Sequence, residues 1–165
     1  MLNFFIKFKQ IIIYSLPSLF VILFTLFNIA VSKSFLDFGL FIALHGIFFW
    51  FLYTPNLLPP FIIVILGFLQ DIIYFLPLGS TPLIFLLSIM LIRIYKNLFL
   101  EPSFLGNWFS FSIIFVISIF SSWALLSLIN FNMIPINPIF FKIFINMLFF
   151  PFSYILSYFF LHQFK

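Results

Sequence analysis

The sequence predicts an all-α integral membrane protein, with about six transmembrane helices packed in one bundle and both termini in the cytoplasm. Three observations carry this expectation. Hydrophobic residues make up 65% of the 165 positions, charged residues only 6%, and the mean hydropathy is +1.35; soluble domains are about a quarter charged. The seven basic and three acidic residues leave uncharged runs at 10–32, 38–70, 72–92, 102–141 and 143–164. Each run exceeds the roughly 18 apolar residues that mark a spanning helix. Six spans of about 20 residues use about 120 positions, so residues 1–165 read as a single polytopic membrane domain.

The first span is read at 11–31, behind Lys7 and Lys9. It outlasts a signal-peptide core of roughly 7–15 residues, so it reads as a retained helix with Pro17 in its first third. The second covers 36–53, with His45 and Gly46 near its middle and Trp50 and Tyr53 at an interface, where amphipathic aromatics gather. Thr54-Pro55-Asn56-Leu57-Leu58-Pro59-Pro60 reads as a turn, because three prolines cannot continue a helix. The third span, 57–76, carries Asp71, and Pro77-Leu78-Gly79-Ser80-Thr81-Pro82 follows as a tight turn. The fourth covers 83–100, with Arg93 and Lys96 near its end; a partly re-entrant hairpin over 57–100 is the other reading of this stretch. Glu101-Pro102-Ser103 opens a connection, Trp108 sits at an interface, and the fifth span covers 105–129. The longest loop, 130–138, leads to the sixth span at 139–161, which contains Pro151. A cytoplasmic N-terminus puts Lys7, Lys9, Arg93, Lys96 and Lys165 inside and Lys33 and Lys142 outside, in keeping with the excess of basic residues on that side.

Several classes of function are excluded on composition. The chain has no cysteine, hence no disulfide framework and no thiolate metal site. Its net charge of +4 comes from scattered Lys and Arg, which does not make a nucleic-acid footprint. Phe occurs 32 times against three Ala and four Val, a bias that AT-rich codons explain; most of these rings fill lipid-facing and core volume. The two histidines and three acids lie at different depths, which is unsuited to a metal site of three or four ligands. No serine stands in a G-x-S-x-G context, and the five glycines are isolated. Ser112, Ser118, Ser121, Ser122 and Ser127 are expected to mediate close helix packing. Neither an enzyme nor a bound cofactor is expected.

Asp71 is the most informative residue. It lies roughly five residues from the outer end of its span, about 8 Å deep, where a carboxylate costs on the order of 2.5–3.5 kcal/mol. Two roles remain open for it: a structural acid, hydrogen-bonded to the backbone amides of the next turn or merely near the headgroups, or a group serving interaction or transport. His45, read as some 6–9 Å deeper, is expected to be a satisfied core histidine rather than a proton partner. Arg93 belongs to the opposite end, where it and Lys96 are expected to snorkel to anionic headgroups.

Gly67-Phe68-Leu69-Gln70-Asp71 followed by Pro77-Leu78-Gly79 resembles the rod shape-determining protein MreD family, in which a G-x-x-x-D span leads into a P-L-G turn. Tyr53-Thr54-Pro55-Asn56-Leu57-Leu58-Pro59 is similar to that family's aromatic-x-Pro-acid-Leu turn. The likeness covers residues 53–82; elsewhere only hydropathy agrees. Asn56 stands where the family often has an acid, Thr54 where it often has Arg, and Tyr74-Phe75 where it usually has a small pair. The resemblance implies a six-helix bundle like the substrate-binding subunits of vitamin transporters. It also implies a non-enzymatic inner-membrane role in cell shape and peptidoglycan synthesis. The partners it implies are an MreC-like scaffold and, indirectly, MreB-like filaments and the peptidoglycan polymerase and transpeptidase. By this carry-over Gly67, Asp71, Pro77 and Gly79 are the family-pattern residues, with Gln70, Pro55 and Asn56 as further contact candidates. Gly67 lies one turn before Asp71 on the same face, which permits a close neighbour beside the carboxylate. The competing expectation is a substrate-binding subunit of a small-molecule, vitamin-type transporter. Against it stands the short inventory of convergent polar groups that a ligand pocket needs.

Overall fold

The computed structural model describes residues 15–27, 41–99, 103–129 and 135–163. Among these residues the chain is all-helical, with no strand: α1 (Ser15–Phe27), α2 (Ile42–Tyr53), α3 (Pro60–Tyr74), α4 (Ser80–Phe99), α5 (Phe104–Ile129) and α6 (Asn137–Gln163). Two of them, α5 and α6, are long and apolar enough to cross a membrane. The expectations for Lys7, Lys9, Lys33, Lys165, Glu101 and Pro102, for the outer parts of the first two spans and for most of the 130–138 loop lie outside the described residues.

The helix α2 forms the axis of the bundle. Every residue from Ile42 to Leu52 is buried, as suits a helix that is apolar all round. It packs on α4 and α6, and α1 covers it through Phe20, whose ring lies 5.8 Å from that of Trp50. Two contacts define its register against α6: His45 meets Asn146 and Tyr53 meets Tyr154, each pair 101 residues apart. Equal offsets at both ends of α2 mean that α2 and α6 run parallel. The helix α5 runs against both, because Phe115 meets Phe41 while Phe111 meets Phe48. A Ser88–Ser118 hydrogen bond of 2.8 Å joins α4 to α5.

Polar side chains are buried within a core of large apolar ones, and many further large apolar groups face outward. Thr25, His45, Asp71, Asn107, Asn146 and Ser157 are buried, whereas Phe61, Ile72, Met90, Phe109, Phe144 and Phe159 are exposed. On α3 the buried residues Ile63, Leu66, Gly67, Gln70 and Asp71 recur at the helical interval, so its polar side chains lie on the inward stripe.

Several boundaries differ from expectation for identifiable reasons. Phe41 has non-helical dihedrals, so α2 starts at Ile42 and His45 falls in its first turn rather than at mid-span. Trp50 is buried beneath α1 instead of lying at an interface, because α2 is enclosed on all sides. Leu57, Leu58 and Pro59 belong to the turn, and α3 begins with Pro60 at its first position, where the missing N–H is harmless. The helix α4 starts at Ser80 rather than residue 83; its Pro82 sits within the first turn, where proline is tolerated. Of the five serines singled out on α5, Ser118 alone has a bond to another helix. Ser112, Ser121 and Ser122 donate to carbonyls of their own helix, and the buried Ser127 hydroxyl has no partner.

Candidate functional site

The site centres on the α3–α4 corner, where Asp71 is completely buried. Its helix ends one turn later. Phe75 takes a left-handed conformation (φ 55°, ψ 36°), and the N–H groups of Phe75 and Leu76 both donate to the Asp71 carbonyl. That ending satisfies one of the carbonyls otherwise orphaned at a helix C-terminus. Pro77-Leu78-Gly79-Ser80 then closes a turn, with Ser80 N–H donating to Pro77 O at 3.1 Å. Gly79 occupies its third position at φ +99°, the conformation for which a type II turn selects glycine.

This geometry folds the start of α4 back onto the Asp71 side chain. Gly79 N–H donates to Oδ2 at 2.7 Å, and Thr81 N–H and the Ser80 hydroxyl donate to Oδ1 at 3.0 Å each. Asp71 is therefore the N-terminal cap of α4, supplied from the preceding helix. The carboxylate faces the positive end of the helix dipole and accepts charge-assisted bonds, which are stronger than neutral ones. The hydrogen bonds to backbone amides expected of a structural acid are present.

Gly67 makes the corner possible. A Cβ added there would lie 2.7 Å from the backbone nitrogen of Pro82 and 2.8 Å from its Cα. The α3 and α4 backbones thus touch one turn below the carboxylate, the close neighbour expected from the Gly67–Asp71 spacing. Gln70 is buried beside Asp71, and its amide nitrogen has no hydrogen-bond partner.

The sequence-predicted residues divide between two ends of α3. Gly67, Gln70, Asp71, Pro77 and Gly79 gather at its C-terminal end. Pro55 and Asn56 lie in the turn before its N-terminus, where Leu57 N–H donates to Thr54 O at 3.1 Å. The rise from Pro60 to Asp71 is roughly 16 Å, so the structure does not bring these two motifs together. Arg93 and Lys96 belong to the opposite end of α4 from the Asp71 cap, as expected. The Arg93 guanidinium lies 5.6 Å from the Phe51 ring centroid, within cation–π range.

Two polar clusters were not foreseen from sequence. Asn107 on α5 donates to the hydroxyls of both Tyr53 and Tyr154, at 3.0 and 3.1 Å, and those hydroxyls are 2.6 Å apart. The other surrounds a proline. Pro151 has no N–H to give the carbonyl of Met147 one turn earlier; the Trp108 indole donates to it instead, at 3.0 Å. Beside it, His45 Nε2 lies 3.1 Å from Asn146 O and Nδ1 lies 3.0 Å from Phe41 O. Asn146 returns the contact by accepting Phe41 N–H at 2.8 Å. A neutral imidazole holds one N–H, so either tautomer satisfies one of the two carbonyls. His45 has no contact with Asp71, and the expectation of a core histidine agrees with these bonds. A proline within a long apolar run next to polar residues was the one available signal.

Among the described residues no three His, Asp or Glu side chains gather as a metal site would require. Comparisons with protein-family models, with curated proteins and with solved structures find no match to this chain.

Proposed function

We propose that the chain is a multi-pass membrane interaction protein. In this reading six helices cross the bacterial inner membrane, both termini are cytoplasmic, and no reaction is catalysed. More specifically, we propose an MreD-like component of the cell-elongation complex, working beside an MreC-like scaffold in cell shape and peptidoglycan synthesis. MreB-like filaments and the peptidoglycan polymerase and transpeptidase are then its indirect partners.

One observation carries the reading. The G-x-x-x-D and P-L-G residues that prompted the resemblance act as one unit: glycine for backbone contact, carboxylate for the cap, and proline and glycine for the turn. Such a unit fixes a helical corner, which is what a docking scaffold needs. The carboxylate is fully buried and turned toward the start of α4. The inward polar and outward apolar arrangement supports a lipid surrounding. The alternation of helix direction across α2, α5 and α6 supports an up-and-down bundle.

The test is gentle-detergent purification of the tagged chain from its own host, read by mass spectrometry. The expected result is recovery of an MreC-like scaffold. Depletion of the chain should also turn rods into rounded cells. Recovery of an ATPase pair with a stoichiometric small ligand would instead move the chain to the transporter class.

A further inference from the structure

Arg93 belongs to the outward stripe of α4. Leu83, Leu86, Met90 and Ile94 are exposed, and Arg93 continues their helical interval and is exposed as well. Lys96 follows one turn later, part-buried. We propose that this pair binds the phosphodiester of an anionic bilayer phospholipid whose headgroup carries no amine.

Charge selects the occupant. From Ser80 to Arg93 the helix rises roughly 20 Å, and from Arg93 to Phe99 roughly 9 Å more. A guanidinium on a lipid-facing stripe at that depth is costly unless its stem carries it to the headgroups. Among the described residues it has no hydrogen-bond or ion-pair partner and lies 5.6 Å from the ring centroid of the fully buried Phe51. A ring attracts the charge but offers no oxygen to the five guanidinium N–H groups. Asp71, the sole acid among the described residues, is buried in the cap at the other end of α4, so no described carboxylate neutralises either cation. A phosphodiester supplies paired oxygens for the guanidinium fork and a negative charge for Lys96. Two cations against one phosphate also disfavour phosphatidylethanolamine, whose own ammonium would stand beside Lys96. In the proposed orientation this end of α4 is cytoplasmic, and anionic lipids give that leaflet its negative surface potential. The site rests on the membrane reading and on no elongation partner.

The experiment reconstitutes the full chain in phosphatidylethanolamine vesicles with a stepped fraction of phosphatidylglycerol. The vesicles are washed with alkaline carbonate, then extracted in mild detergent for native mass spectrometry. One retained phosphatidylglycerol per chain is expected, saturating as its fraction rises, with phosphatidylethanolamine held about five-fold more weakly. Arg93→Gln and Lys96→Gln should each weaken phosphatidylglycerol binding about five-fold, and the double variant about 25-fold. Lys142→Gln on α6 and Glu101→Gln should leave it unchanged. Equal retention of both lipids by the wild-type chain overturns the proposal, and that comparison needs no variant to fold. So do full affinity in the double variant and displacement of the lipid by millimolar inorganic phosphate. Several-fold tighter binding on Glu101→Gln also overturns it, because that carboxylate would then be the pair's own partner. A chain that leaves the vesicles in carbonate fails the membrane reading itself, whereas an integral chain without the lipid preference fails this site alone.

Discussion

Asp71 serves three donors with two oxygens. Replacing it by Ala removes the acceptor of two backbone N–H groups and a hydroxyl, of which the Thr81 N–H is fully buried and the other two part-buried. A loss of about 1–3 kcal/mol is expected, the cost of one orphaned buried donor. Asp71→Asn should recover part of this. Its carbonyl oxygen can still serve Ser80 and Thr81, but its amide group would face the Gly79 N–H, donor against donor. Thermal unfolding in detergent should therefore rank wild type above Asn above Ala; an Asn variant as stable as wild type would contradict the cap. Gly67→Ala tests the same corner by space rather than charge. Its methyl would overlap Pro82 backbone, for which about 1–3 kcal/mol is expected, together with weaker cysteine cross-linking between α3 and α4.

At the scale of elements, the proline of α6 and the tryptophan of α5 form a testable pair. Trp108→Phe leaves the Met147 carbonyl without a donor and should cost about 1 kcal/mol. Pro151→Ala restores the helix's own N–H to that carbonyl. In the Pro151→Ala background the Trp108→Phe effect should shrink toward zero, giving a coupling energy on the order of 1 kcal/mol in a double-mutant cycle. Strict additivity of the two changes would rule out the compensation. Elements also explain how far the sequence could be read. The long uninterrupted runs of α5 and α6 placed their ends within two residues. The start of α2 differs because the non-helical Phe41 sits within the apolar stretch Leu40-Phe41-Ile42-Ala43-Leu44, where no residue type marks a break. The start of α4 was missed because Ser80-Thr81-Pro82 suits a turn and a first helical turn equally well.

At the scale of the molecule, parallel α2 and α6 with antiparallel α5 put the start of α5 and the Asp71 corner at opposite ends of the bundle. The chain lacks cysteine, so single thiols can be introduced without background. Under the proposed orientation, Leu78→Cys in the exposed turn should react with a membrane-impermeant maleimide in intact cells. Ser103→Cys should react only after permeabilisation. Equal labelling of both would contradict the bundle topology in a membrane. Partners close in sequence were legible: Asp71 meets donors eight to ten residues away, and that proximity made capping one of its two readings. The Asn107–Tyr53–Tyr154 and His45–Asn146 clusters were not. Their members are up to 101 residues apart, and nothing local in the chain announces a shared register.

The enclosure of α2 also has a consequence for how the protein is made. The described helix has 12 residues and is about 18 Å long, shorter than a hydrocarbon core of about 30 Å. Contacts at both ends of it come from α6, which leaves the ribosome after α2 to α5: His45 meets Asn146, and Tyr53 meets Tyr154 as well as Asn107 of α5. A stop codon at position 135 should thus weaken the hold on α2 at both ends, and pulse-chase labelling should find the shortened product degraded rather than accumulated.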